Sequence, residues 1–220
     1  MSKSVVISVR VMSIICFALI LVSCKTKYST ARLDTYFTPR EIQDLKKIRE
    51  FFRSEMCYGL DADFKTCFEN TPHEYLELSG NAFWTIIDYE KQKKLYQEIS
   101  KSTFDAIWKK YPITYFPSEE SGVHLAANVK GRYLDFLKSL GADNTEVAKY
   151  ANQVEQTGGY DLVGLWYSYI LNDTKSYNLG DPNIQLMLAI HYLTLNDDNM
   201  RNREMMKNPR PILKSWKRIE

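Results

Sequence analysis

Glu119, Glu120 and Ser121, with His124 three residues further on, come nearest in this sequence to a set of catalytic residue types. A glutamic acid kept protonated by burial can donate a proton to a glycosidic oxygen, which is the general-acid step of glycan cleavage. The group follows Pro117, where the chain is expected to leave an extended segment and enter a helix capped by Ser118. In that setting Glu119 and Glu120 also have a plainer role, as acidic residues that the helix dipole favours in a first turn. Glu119, Glu120 and His124 are the candidate catalytic residues, and no later segment supplies an obvious partner for them.

Metal and cofactor chemistry is poorly served. His73 and Glu77 share a helix face at i, i+4, but two ligands fall short of the three or four a metal site needs. Glu74 instead closes a capping box with Thr71. Asp61 and Asp63 begin like a calcium loop, yet the glycine and distal glutamate of that loop are missing. A phosphate-binding Walker loop, a dinucleotide glycine motif, a Gly-x-Ser-x-Gly elbow and a His-Glu-x-x-His helix are all absent from the sequence. No metal and no cofactor are expected.

Aromatic residues offer binding rather than catalysis. The chain has 15 tyrosines, and Tyr160, Trp166, Tyr167, Tyr169 and Tyr177 fall close together. Rings with polar tips suit sugar or peptide surfaces. Leu162, Leu165, Trp166, Tyr169 and Ile170 also form an ordinary core stripe at helical spacing, which leaves Tyr160, Tyr167 and Tyr177 as the candidate exposed surface. Trp216 is a further candidate, because the basic tail around it can lie on an anionic membrane.

The N-terminal segment bears on where any such chemistry takes place. Lys3 and Arg10 precede an apolar run of twelve residues, 11–22, which is too short for a membrane-spanning helix and has the flanks of a signal peptide. The run ends in Leu21-Val22-Ser23-Cys24, which resembles the lipobox of bacterial lipoprotein precursors. In that family the chain is cut before the cysteine and the cysteine is acylated. The resemblance implies a signal peptide over residues 1–23, a lipid on Cys24, and a domain held to a membrane of the bacterial cell envelope, outside the cytoplasm. It also implies an oxidising compartment. Cys16 leaves with the signal peptide and Cys24 is acylated, so Cys57 and Cys67, with nine residues between them, are expected to form a disulfide. Two buried free thiols are the alternative.

Loss of the signal peptide would remove two basic residues and leave 27 basic and 27 acidic side chains. Residues 200–220 hold seven of the former and two of the latter. This is not the footprint of a nucleic-acid-binding protein, and none is expected as partner. A Glu-Ser pair at the start of a helical domain is similar to the lysozyme-type lytic transglycosylases of bacterial envelopes. The Gly-Leu-Met-Gln and Asn-Ala-Tyr-Asn segments of those enzymes do not occur here.

The elements that would position these groups read as helices. Thr38-Pro39-Arg40-Glu41 is a capping box with proline at the first helical position, and Ile42, Leu45, Ile48, Phe52 and Met56 continue it as an apolar face to residue 56. Further helices are expected from Pro72, over about 83–99, over about 103–108, from Ser118 to about residue 140, from 143 or 144 to 157, over 161–171, and from Pro182 onward. Residues 75–88 also admit a hairpin reading. The two prolines at 112 and 117 keep 111–117 largely extended.

The expected fold is therefore all-α: an irregular bundle of about seven helices after the signal segment, with one short disulfide-closed loop. Residues 24–37 read as a flexible tether, 38–199 as the helical domain with a possible division near 112–117, and 200–220 as a basic tail. Two functions fit. The first is a membrane-anchored envelope protein that binds a protein or peptidoglycan partner. The second is a lysozyme-like, glycan-cleaving enzyme using Glu119 or Glu120 as general acid.

Overall fold

The computed structural model describes residues 31–58, 60–71, 86–115, 120–160, 165 and 167–203. The expected lipidation site Cys24, the helix start at Pro72, the choice of helix or hairpin over most of 75–88, Glu119 and Trp216 lie outside these residues.

Nine helices and two strands occur among the described residues: α1 (Leu33–Tyr36), α2 (Pro39–Met56), α3 (Phe64–Glu69), α4 (Tyr89–Glu98), α5 (Lys101–Ile107), β1 (Trp108–Tyr115), β2 (Glu120–Ala127), α6 (Arg132–Gly141), α7 (Thr145–Thr157), α8 (Tyr167–Asn172) and α9 (Pro182–Arg203). The fold is thus mostly helical but not all-α. It carries one antiparallel hairpin, in register from Trp108 opposite Ala127 to Tyr115 opposite Glu120.

α9 is the axis of the molecule. From Leu186 to Thr194 every residue is buried, so the helix is enclosed on all sides rather than presenting one apolar face. Asp181 starts it as the sequence suggests, its carboxylate accepting from the Asn183 N–H with Pro182 at the first position. α2, α4 and β2 pack around it. Tyr192 of α9 stacks on Phe52 of α2 at 5.7 Å between ring centroids, and Phe68 of α3 closes the same cluster.

α2 spans the residues that its capping box predicts, with Thr38 and Glu41 bonded reciprocally. Its interior side carries carboxylates as well as hydrocarbon. Asp44 accepts from the Ser100 N–H and the Thr103 hydroxyl, and Glu55 accepts from the Asp88 N–H. Both contacts sit at helix N-termini, where Ser100 caps α5 and Asp88 caps α4. Negative charge is favoured there by the helix dipole. α2 thereby sets the positions of the two helices that follow. At its C-terminal end, Cys57 is joined to Cys67 of α3 by the expected disulfide.

Several expectations are corrected. Leu33 and Phe37 are buried in the core, so the last part of the expected tether belongs to the domain; apolar side chains in a polar stretch found a groove to fill, and Phe37 packs on Phe136. Within the helix expected over about 83–99, the described residues 86–88 are not helical, and α4 starts at Tyr89, where Asp88 supplies the cap. The helix expected over 118–140 is instead β2, a turn and α6. Leu125 continues the apolar spacing of Tyr133, Phe136 and Leu137, but in the fold it pairs opposite Lys110 of β1 and is fully buried there. Gly131 then provides the extended residue that starts α6. Residues 112–115 of the segment expected to be extended lie in β1, and one core cluster includes Phe52, Trp108, Leu125, Phe136 and Leu188. Residues 200–203 of the expected tail continue α9.

Candidate functional site

β2 decides the fate of the expected catalytic group. Glu120 is its first residue, paired with Tyr115, and not part of a helix N-terminus. Four residues of extended chain separate Glu120 from His124 by about 13 Å along the strand. His124 is turned to α9, where its Nδ1 lies 3.0 Å from Asp198 Oδ1 and the Leu125 N–H donates to the same oxygen. The imidazole thereby ties the hairpin to the central helix.

The expected tyrosine surface is also dispersed. Tyr160 is fully buried, its hydroxyl donating to the Ile107 carbonyl across to α5. Tyr177 is buried, and burial pushes its phenol up to about 12. Tyr167 lies in α8, while Tyr169, assigned by its spacing to the core, is 66% exposed. The stripe predicted an amphipathic helix over 161–171; residues 161–164 and 166 lie outside the described residues, Leu165 is not helical, and in α8 it is Ile170 and Leu171 that meet the core.

The structure assembles a different site. A groove of about 990 Å³ opens between α4, α5, β1 and the last turn of α9. Its floor is aromatic. Tyr96, Phe104 and Trp108 contact one another pairwise, with ring centroids 5.5, 5.3 and 5.3 Å apart. Trp108 is the anchor: it is 1% exposed, and its indole N–H donates to the buried Thr194 hydroxyl of α9 at 2.8 Å. Tyr96 and Phe104 are half-buried and present ring surface to the groove.

The rim is cationic, with Lys93, Lys101, Lys109, Lys110 and Arg201 against Asp105 as the one acidic lining residue. Lys93 pairs with Glu90, and Lys101 with Asp105. Lys109 and Lys110 have no carboxylate partner among the described residues; their ammonium groups sit over the rings of Tyr111 and Phe104 at 4.9 and 5.4 Å.

Behind the rim runs a buried polar chain. The Gln92 amide donates to the Tyr96 hydroxyl and to the Leu193 carbonyl, and Asn196 donates to Gln92 Oε1. Asp197, with no exposed surface, holds Arg201 by two hydrogen bonds. Burial raises the Asp197 carboxyl, and Arg201 and Lys110 oppose that shift. Burial and the nearby Asp197 charge push the Tyr96 phenol well up, so it stays a neutral hydroxyl. These contacts make the floor rigid.

Sequence reasoning missed the groove because four separate elements build it. The one local signal was Phe104 and Trp108 followed by Lys109 and Lys110, which spacing alone assigned to a short helix. Among the described residues no three His, Cys, Asp or Glu side chains converge as a metal site, and no helix is long and apolar enough to cross a membrane. No protein-family model, curated protein or solved structure matches the chain.

Proposed function

We propose that this chain is a lipid-anchored protein of the bacterial cell envelope whose helical domain holds a protein or cell-wall partner in the groove between α4, α5, β1 and α9. The observation that carries the reading is the groove itself: an aromatic floor anchored by the Trp108–Thr194 hydrogen bond, with lysines on its rim. Concave sites with apolar walls and a few placed polar groups are the usual form of a binding site. The anchoring rests on the likeness of Leu21-Val22-Ser23-Cys24 to a lipobox. The Cys57–Cys67 disulfide accords with an oxidising compartment. Binding is preferred to catalysis because the groove offers ring surface and cations, with Asp105 its one carboxylate and that one paired with Lys101.

Affinity capture from detergent-solubilised envelope, using the full chain with Cys24 intact, tests this. The wild type is expected to retrieve a protein or glycan that a Lys109→Glu, Lys110→Glu double variant does not. Retrieval of lipid alone, or the same retrieval by both chains, would overturn it.

A further inference from the structure

Arg201 is the feature of the groove that most constrains its ligand. Its Nε and Nη2 donate to the two oxygens of Asp197 at 2.8 and 2.7 Å, one helical turn earlier on α9. That bond pair fixes the plane of the guanidinium, so the group is ordered before any ligand arrives. Nη1 makes no hydrogen bond to a described residue, and Arg201, 23% exposed, lines the groove. Its remaining donors are therefore set at a wall of the site.

Asp197 balances the charge of Arg201, so the excess positive field must come from elsewhere. Lys109 and Lys110 supply it, since neither is matched by a carboxylate among the described residues. The Lys110 ammonium stands over Phe104 at 5.4 Å and lines the same groove as Arg201. An oriented guanidinium and an ammonium lining one groove make a receptor for a carboxylate or phosphate.

The floor specifies the body attached to that anion. Tyr96 and Phe104 offer partly exposed ring surface, which suits the C–H faces of a sugar ring. Gln97 stands beside it as an amide partner for hydroxyls, and with Asn128, whose amide is bonded to the Asp105 carbonyl and the Lys130 N–H, it interrupts the apolar surface a lipid chain would need.

Resting on the proposed function, we infer that the groove is a subsite for an acidic cell-wall glycan, with a sugar ring on Tyr96 and Phe104 and its anionic substituent between Lys110 and Arg201.

The test uses the full chain in detergent, titrated by calorimetry with the soluble disaccharide-tetrapeptide that a muramidase releases from purified peptidoglycan. Saturable binding is expected, at least tenfold tighter than for neutral chitotetraose. Lys110→Gln, an exposed change that leaves the core intact, is expected to weaken it at least fivefold. Arg201→Lys keeps a cation for Asp197 but removes the fork, and is expected to weaken it at least tenfold. Absence of saturable binding, equal binding of chitotetraose, tighter binding of anionic phospholipid vesicles, or indifference to both substitutions would overturn the inference. If the fragment fails to bind while envelope capture still retrieves a partner lost in the Lys109 and Lys110 variant, the glycan assignment falls and the groove remains a partner site. If capture fails as well, both fall.

Discussion

The guanidinium of Arg132 grips the carboxylate of Glu41 with both arms, Nη1 to Oε2 at 2.8 Å and Nη2 to Oε1 at 2.6 Å. The same carboxylate accepts from the Thr38 N–H and hydroxyl, so one buried side chain caps α2 and fastens α6 to it. Arg132 also donates to the Tyr36 carbonyl and lies over the Phe37 ring, which draws α1 into the same joint. Hydrogen bonding to Arg132, against a burial cost, holds the Glu41 carboxyl down at about 2.

Because that pKa is depressed, the stabilisation is fully present above the unfolded-state value near 4.5 and is lost as pH falls toward 2. Arg132→Ala should destabilise the protein by about 2 kcal/mol at pH 7, a figure reduced for the solvent screening of a half-exposed arginine. Urea unfolding at pH 7, 5, 4 and 3 should show the gap between wild type and variant constant down to about 5 and narrowing below it. A gap independent of pH would mean that Arg132 acts through packing on Phe37 alone.

His191 gives the same direction of pH dependence, but by being kept neutral rather than charged. It is 3% exposed on α9, with the Tyr150 hydroxyl 3.3 Å from Nδ1. Burial drives its pKa from 6.5 to about 3, against a hydrogen bond to the Tyr160 backbone. The imidazole is therefore neutral in the folded protein, and the unfolded chain takes up a proton that the folded one refuses. Its contribution is complete above pH 6.5 and declines as pH falls toward 3, by on the order of 4 kcal/mol in all. His191→Phe should flatten the fall in stability between pH 6.5 and 4.5, where Glu41 is still ionised. Its midpoint in denaturant is the quantity to follow, and a slope unchanged by the substitution would refute a neutral buried imidazole.

The disulfide closes a short loop between the end of α2 and α3. On the chain-entropy model, removing it by Cys57→Ser with Cys67→Ser should cost about 2 to 3 kcal/mol. Mass spectrometry of the unfolded chain should find these two cysteines alkylated only after reduction. Alkylation of both without reductant would refute the bond and would weaken the case for an oxidising compartment.

How much of this was readable in advance follows the range of the interactions. α2, the start of α9 and the end of α7 were predictable because caps are local: Thr38 with Glu41, Asp181 with Pro182, and Gly158 after Thr157. β2 was not, because Leu125 with Val129 and Tyr133 has helical spacing, and the deciding partner is β1, which pairs Lys110 with Leu125. The tyrosines show the same limit. Tyr160 and Tyr177 have the composition of a binding surface, but what buries them comes from distant elements such as α5. The groove was the least visible feature of all, since Lys93, Phe104, Lys110 and Arg201 share no sequence neighbourhood and meet only when α9 lies against the hairpin.

Two glycines separate packing from backbone conformation. Gly141 ends α6 in ordinary helical geometry, but a Cβ there would meet Ala148 Cα of α7 at 2.7 Å and its backbone nitrogen at 2.8 Å. Backbone atoms cannot swing aside, so Gly141→Ala must push α6 and α7 apart, at a cost of about 2 to 3 kcal/mol. Gly158 has open space around it and a φ of +73°, the left-handed residue that ends α7. Gly158→Ala should cost only about 1 kcal/mol, the penalty of holding a side chain in that region. The variants should differ in kind as well as size. Gly141→Ala should also loosen the core that α7 covers, raising hydrogen exchange at Val147, Ala151 and Val154, whereas Gly158→Ala should leave those amides as protected as in the wild type. If both variants exchanged alike, the close approach of α6 to α7 would not be the reason for glycine at 141.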